Sequence, residues 1–115
     1  MRQIIYKICP EALWREAEAS GTFTGAPVDF ADGFIHFSTA EQVRETAAKH
    51  FAGQDGLLLV AIDEARLGPA LKYEVSRGGA LFPHLFAPLD LEAVIWVKPL
   101  PLDAGGSHLF PALEA

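Results

Sequence analysis

Two histidines and one glutamate are the side chains of this sequence whose types best suit proton transfer or the binding of a small polar ligand. His36 lies in residues 32–39, where the alternation of a strand would place Phe34, His36 and Ser38 on one face. A helix predicted to begin at Ser38 would offer free backbone amides to an anion. The alternative is that Ser38 and Thr39 only cap this helix and that His36 is a structural sheet histidine.

Glu74 lies in residues 71–76, whose alternation predicts a strand. On that strand Lys72 and Glu74 would share one face, and Tyr73 would lie on the other. As a site residue, Glu74 would accept a hydrogen bond from a sugar hydroxyl or serve as a general base. The alternative is a solvated carboxylate paired with a neighbouring strand.

His84 lies in the apolar residues 81–89, which Pro83 and Pro88 make rigid. Apolar walls favour the neutral form of an imidazole, which suits a proton shuttle or a donor to a bound ligand. The alternative is a buried histidine that is bonded to backbone carbonyls.

Other catalytic motifs are missing from the sequence. Neither an H-x-x-x-H nor an H-E-x-x-H spacing occurs, and Cys9 has no second cysteine, so no metal site is predicted. The sequence has no G-x-S-x-G turn and neither a Rossmann nor a Walker glycine loop. The histidines that these spacings exclude as paired metal ligands are His36, His50, His84 and His108.

Composition favours one folded domain over residues 1–115, because half of the 115 residues are hydrophobic. The 15 acidic and 9 basic side chains give a net charge of −6, which disfavours non-specific binding to DNA. A single cysteine fits a reducing compartment. Neither a signal peptide nor an apolar run of membrane-spanning length is seen, so a cytoplasmic protein is expected. The oligomeric state is left open.

The pattern of elements predicts an α+β fold with a small, mostly antiparallel split sheet and two helices. Strands are expected at residues 3–8, 33–37, 57–62, 71–76 and 93–97. The helices are expected at residues 11–20 and 38–52, the second with capping-box spacing at its start. Glycine and proline predict a loop or lid at residues 21–32, an irregular segment at 81–90 and a loosely packed tail over residues 100–115.

The order of four motifs resembles a family of small bacterial proteins classed as a domain of unknown function, DUF952. The motifs are I-Y-K-I, D-G-F-I-H-x-S-T-x-x-Q, an aromatic residue followed by Glu, and F-P-H-L. They match residues 5–8, 32–42, 73–74 and 82–89, and the resemblance covers about the first hundred residues. The chain departs from the family at Phe86 and Ala87, where members more often have Tyr-Gly.

The resemblance implies a fold similar to that of ADP-ribosyltransferase-like proteins and NAD as the substrate. The implied catalytic residues are His36, Glu74 and His84. The implied cofactor-binding residues are His36, Ser38, Thr39, Tyr73 and Arg77. The resemblance further implies that His36 would hold the nicotinamide-side ribose and that His84 would close the pocket. Lys7, Lys72 and Arg77 are the candidates to face the pyrophosphate.

Cleavage of a nicotinamide glycosidic bond passes through an oxocarbenium-like state, which requires positioning and a nearby carboxylate. Glu74 would stabilise this state or deprotonate the acceptor. Two other functions stay open at this point. One is a small-ligand binding module without catalysis, and the other is a structural or protein-interaction domain.

Overall fold

Three helices and nine strands make up the part of the chain that the structure, a computed structural model, describes: residues 3–115 without the side chain of Arg77. The helices are α1 (Glu11–Ser20), α2 (Pro27–Asp32) and α3 (Val43–His50). The strands are β1 (Ile4–Pro10), β2 (Thr22–Phe23), β3 (Ile35–His36), β4 (Ser38–Thr39), β5 (Leu57–Asp63), β6 (Leu71–Val75), β7 (Leu81–Leu85), β8 (Leu89–Asp90) and β9 (Val94–Pro99). None of these helices is long and apolar enough to span a bilayer.

The strands form three sheets whose described pairings are all antiparallel. The largest sheet has the order β4–β1–β5–β9, and a second sheet has the order β3–β7–β6. β2 and β8 form a separate pair. The predicted α+β class with a split antiparallel sheet is therefore confirmed.

The central strands β1 and β5 are buried on both faces. Along β5, Leu58, Val60 and Ile62 join one apolar core, and Leu57 and Leu59 join the other. Such burial explains why residues 57–62 form an uninterrupted apolar run instead of alternating with polar residues. The large sheet thus supplies a rigid base for the smaller sheet that carries the histidines.

Helix α1 has the bounds that its sequence predicts. Trp14 and Ala17 are its buried residues, and both belong to the first core. Gly21 follows the helix with φ of 87°, and its amide donates to the carbonyl of Ala17. A left-handed residue at this position ends a helix most easily when it is glycine.

The prediction of a loop at residues 21–32 is wrong, because this segment contains β2 and α2. Pro27 occupies the first turn of α2, and Asp29 accepts a hydrogen bond from the amide of Ala26 at 2.7 Å. Gly33, with φ of 85°, ends the helix. The proline and glycine that predicted a loop are therefore the start and stop signals of a short helix.

The second predicted helix begins later than expected. Ser38 and Thr39 form β4 and pair with Tyr6 and Ile5 of β1, so they are not the first residues of a helix. The Thr39 amide donates to the side-chain oxygen of Gln42 at 3.1 Å, which closes a turn before α3. The expected anion site at a helix start beside His36 is consequently wrong.

The apolar segment at residues 81–90 is more regular than predicted, since residues Leu81–Leu85 form β7, the central strand of the second sheet. Pro83 is tolerated there although it has no amide to donate. Its carbonyl accepts a hydrogen bond from the amide of Phe37, which lies just past the end of β3. The backbone nitrogen of Pro83 therefore faces the position where the pairing of β7 with β3 ends, and no hydrogen bond of that pairing is lost.

The C-terminal segment is packed against the large sheet, which corrects the prediction of a loose tail. Leu100 is buried in the second core, and Phe110 and Leu113 pack against that core. The Tyr6 hydroxyl donates to the carbonyl of Glu114 and accepts from its amide, at 2.7 and 2.8 Å.

Candidate functional site

The second sheet brings together the two histidines that the sequence singles out. His36 of β3 lies directly opposite His84 of β7, and the ring centroids are 5.6 Å apart. On the other side of β7, His84 is paired with Lys72 of β6. Glu74 is two residues further along β6 and therefore lies on the same face as Lys72. Antiparallel register alone thus gathers residues that are distant in sequence.

Both imidazoles line a cleft of about 460 Å³, here called the histidine cleft. Small-ligand sites usually measure about 300 to 1,000 Å³. Asp32, His36, Ser38 and His84 contribute polar side chains to its wall, and Val28 and Phe82 contribute apolar ones. A cleft with these walls offers both hydrogen bonds and apolar contact to one small molecule.

His84 is oriented by Glu74. The distance from His84 Nδ1 to Glu74 Oε1 is 2.9 Å, and an ionised carboxylate can only accept in this bond. Nδ1 therefore carries the hydrogen, and the neutral ring has its lone pair on Nε2. Nε2 has no hydrogen-bond partner among the described residues. His84 is 4 % exposed, so the cleft is its access to solvent.

His36 is bound by two carboxylates from α2. Its Nδ1 lies 2.6 Å from Asp29 Oδ1, and its Nε2 lies 2.8 Å from Asp32 Oδ2. When both aspartates are ionised, both nitrogens must donate, and the ring is then an imidazolium. Both ring nitrogens of His36 are therefore bonded to carboxylate oxygens, and the ring is held in a fixed orientation.

Asp29 is the buried centre of this group. Its two oxygens accept from Lys7 Nζ at 3.0 Å and from the amides of Ala26 and His36 at 2.7 and 3.1 Å. Burial alone raises the pKa of Asp29. The hydrogen bond from His36, the charge of Lys7 and the two amides outweigh burial and lower the pKa to about 2. Burial in turn lowers the pKa of Lys7, although Asp29 opposes that shift.

Glycine at position 25 makes room for the Asp29 side chain. Gly25 has φ of 129°, and a Cβ there would lie 3.0 Å from Cβ of Asp29. A larger residue would therefore strain its own backbone and push the carboxylate away from Lys7 and His36. The local sequence Gly25 to Gly33 is thus built around one buried acid.

Aromatic rings close one side of the histidine pair. The Phe34 ring stacks on His84, with centroids 4.0 Å apart, and lies 4.5 Å from the His36 ring. Phe86 contacts Phe34 at 5.2 Å, and Lys72 Nζ lies 5.5 Å from the Phe86 centroid. These contacts restrict both imidazoles to one arrangement.

The structure places the predicted cofactor-binding residues in different surroundings. Ser38 lines the cleft, but its hydroxyl is bonded to that of Thr46 at 2.9 Å. Thr39 is not among the residues that line the cleft. Tyr73 is on the opposite face of β6, where its hydroxyl donates to Glu64, and burial together with that bond raises its pKa. The side chain of Arg77 lies outside the described residues.

The other two candidates for a pyrophosphate contact are engaged elsewhere. Lys7 lines the cleft, but its Nζ is 3.0 Å from both oxygens of Asp29, and the residue is 5 % exposed. Lys72 is exposed, with its Nζ above the Phe86 ring. Lys7 is therefore occupied by Asp29, and Lys72 is not among the residues that line the cleft.

Sequence reasoning missed Asp29 and Asp32, the two acids that bind His36. A signal was available, since the two aspartates are three residues apart in a segment that starts with Pro27 and ends with Gly33. On a helix this spacing puts both carboxylates on one face. Among the described residues, no group of three or more His, Cys, Asp or Glu is arranged to hold a metal ion.

The antiparallel sheets and the paired histidines make this chain a small α+β protein with an imidazole-lined cleft. The chain belongs to the family described as "Protein of unknown function (DUF952)", which matches residues 8–97. The C-terminal tail therefore lies outside the match, as the motif comparison predicted.

Two solved structures of protein CC0527 from Caulobacter crescentus are similar to this chain over nearly its whole length. The X-ray structure is 52 % identical, with a TM-score of 0.88, and the match covers 92 % of this chain and 93 % of that chain. The solution NMR structure is 53 % identical, with a TM-score of 0.82 and coverage of 90 % of each chain. A comparison with curated proteins gave no match.

Proposed function

We propose that the histidine cleft binds a small ribose-bearing ligand of the NAD class. The observation that carries this proposal is His84, which is buried, oriented by Glu74 and without a partner for Nε2 among the described residues. A ring that is largely buried, lines a cleft and has one nitrogen without a partner in the described part of the chain suits a ligand hydroxyl or amide. The resemblance to ADP-ribosyltransferase-like proteins supports ribose as the group that is bound.

The size and walls of the cleft favour the nicotinamide–ribose part of such a ligand. The cleft of about 460 Å³ has apolar side chains such as Val28 and Phe82 for a planar ring. His84, which is bonded to Glu74 through Nδ1 alone, offers its Nε2 to a hydroxyl of the sugar. Because Lys7 is engaged with Asp29, it would not bind the diphosphate, and the second nucleoside would extend outside the cleft.

The binding test is a titration of the purified chain with NAD, ADP-ribose and nicotinamide riboside, followed by thermal unfolding. A ligand at about 100 times its Kd adds about 2.7 kcal/mol to the free energy of unfolding. We expect His84→Gln to weaken the affinity about tenfold or more, because it removes the oriented nitrogen. The matched control is His108→Gln, since His108 lies outside the cleft and bonds to the carbonyl of Gln54.

The same titration contains the result that would overturn the proposal. If none of the three ligands changes the thermal unfolding of the wild-type protein, the cleft does not bind this class of ligand. If His108→Gln weakens binding as much as His84→Gln, the effect of the cleft histidine is not specific.

A catalytic role is a second candidate function, and the Glu74–His84 hydrogen bond favours it. In this reaction the bond between the ribose anomeric carbon and nicotinamide breaks, and its electron pair leaves with the nicotinamide. Water or an acceptor hydroxyl forms the new bond to that carbon and gives its proton to His84 Nε2. The Glu74 carboxylate then stabilises the positive charge of the imidazolium that results.

Release of nicotinamide distinguishes catalysis from binding alone. We expect NAD to be consumed by the wild-type protein and the rate to fall about a hundredfold in Glu74→Gln and His84→Gln. Chromatographic detection of free nicotinamide gives this rate directly. Saturable binding of NAD without any release would instead assign the protein to the binding-module class.

A further inference from the structure

The two aspartates that bind His36 differ in how firmly they are held. Asp29 has a side chain that is 1 % exposed and takes three further hydrogen bonds, from Lys7 and from two backbone amides. Asp32 has a side chain that is 49 % exposed, and its bond to His36 Nε2 is its single hydrogen bond within the described part of the chain. The Nδ1 bond is therefore buried and supported by neighbouring bonds, whereas the Nε2 bond, called the exchangeable bond below, ends on a half-exposed carboxylate.

The exchangeable bond faces the histidine cleft, since both Asp32 and His36 line it. We propose that the Asp32 carboxylate is an internal substitute for an anionic group of the ligand, and that a ligand phosphate displaces it from His36 Nε2. This inference rests on the proposed function and extends it. It adds that the ligand carries a phosphate and that His36 binds the phosphate, not a sugar hydroxyl.

Charge explains why the displaced carboxylate points to an anion. Hydrogen bonds to a charged group are roughly twice as strong as neutral ones, so a neutral hydroxyl competes poorly with the Asp32 carboxylate for His36 Nε2. A phosphate oxygen restores a hydrogen bond from Nε2 to a charged acceptor. Around His36, the charges of Lys7 and Asp29 offset each other, so Asp32 supplies the negative charge at Nε2 that a ligand phosphate would replace.

Rotation of one side chain is enough for the exchange. Asp32 is the last residue of α2, and Gly33 follows in a left-handed conformation, so the helix need not unwind. Asp29 meanwhile keeps the His36 ring in place through Nδ1 and through the His36 amide. The ring thus keeps its orientation while the group bound at Nε2 changes.

The test compares ribose 5-phosphate with ribose in titration calorimetry on the wild-type chain and on Asp32→Asn. The asparagine keeps a neutral acceptor for Nε2 and removes the competing charge. We expect Asp32→Asn to bind ribose 5-phosphate about tenfold more tightly than the wild type, which corresponds to about 1.4 kcal/mol. The affinity for ribose should stay unchanged.

The matched control for net charge is Glu16→Gln, an exposed carboxylate on α1, which contributes no residue to the cleft. It should leave both affinities at their wild-type values. An equal gain in Glu16→Gln, an equal gain for ribose, or no gain in Asp32→Asn would each overturn the displacement proposal. Inorganic phosphate alone serves as a further arm that separates binding of the anion from binding of the sugar.

Nitrogen-detected NMR of the His36 ring gives a second measurement on the same variants. On addition of ribose 5-phosphate, the Nε2 signal should shift and the Nδ1 signal should stay in place. A shift at Nδ1 instead would overturn the assignment of the exchangeable bond. Binding of NAD without any gain in Asp32→Asn rejects this inference alone, whereas failure of NAD, ADP-ribose and nicotinamide riboside all to bind rejects the proposed function as well.

Discussion

The two histidine–carboxylate pairs of the second sheet are built in opposite ways. In the first pair the carboxylate is buried and the imidazole is partly open, with Asp29 at 1 % and His36 at 30 % side-chain exposure. In the second pair the imidazole is buried and the carboxylate is open, with His84 at 5 % and Glu74 at 44 %. The two pairs differ in which hydrogen-bonded partner, the carboxylate or the imidazole, has been removed from water.

A buried carboxylate must be satisfied inside the protein, because its desolvation costs several kcal/mol. Asp29 meets this requirement with Lys7, two amides and His36, and so it joins β1, α2 and β3. The Glu74 side chain keeps access to water, and its one hydrogen bond within residues 3–115, the Arg77 side chain aside, is to His84. We infer that the first pair serves mainly the fold of the site and that the second is the one suited to chemistry.

The largest effect expected from this comparison is the loss of stability in Asp29→Asn. The variant leaves Lys7 buried with no opposite charge, and breaking a buried ion pair in this way costs about 3 to 5 kcal/mol. Urea denaturation measures the free energy of unfolding. Asp32→Asn serves as the control, because its half-exposed bond should be worth about 1 kcal/mol or less. A cost below about 1 kcal/mol in Asp29→Asn would show that the buried pair is not a folding element.

Low pH should also weaken the buried contacts of Asp29, by less than the Asp29→Asn substitution does. The pKa of Asp29 is lowered to about 2 in the folded chain, below its ordinary value of 3.8. Its contribution is therefore complete above the ordinary value and is lost as the pH falls through about 2. Since one pKa unit corresponds to about 1.4 kcal/mol, about 2 kcal/mol is at stake. Urea midpoints measured over this acid range should fall less in Asp29→Asn than in the wild type, and equal slopes would contradict the assignment.

Local patterns in the sequence are sufficient for the parts of the fold that are stabilised locally. The uninterrupted run at residues 57–62 predicts β5, and the glycine after residue 20 predicts the end of α1. Helix α2 was missed because Pro27 and Gly33 are read as loop residues unless their separation is recognised as that of a helix start and stop. β4 was missed because Ser38 and Thr39 resemble a helix cap until β1 is present to pair with them.

The candidate site, like the fold, is only partly predictable from local sequence patterns. The types of His36, Glu74 and His84 mark them as candidates, and their convergence depends on the register of β3, β7 and β6, which no local pattern contains. Asp29 could not be ranked above the other acids, because its importance comes from burial next to Lys7. Tyr73 directly precedes Glu74 in the chain. Strand alternation therefore places its side chain on the opposite face of β6.

The smallest effect on stability is expected for Glu74→Gln, and this variant tests the comparison most sharply. The glutamine keeps an acceptor for His84 Nδ1, and a half-exposed pair contributes about 1 kcal/mol or less, so the free energy of unfolding should change little. The same change removes the charge that stabilises a protonated His84, so nicotinamide release should fall about a hundredfold. Urea denaturation and the release assay are run on the same preparation. If Glu74→Gln destabilises the protein as much as Asp29→Asn, both pairs are structural, and the buried imidazole of His84 loses its claim to be the group that moves a proton.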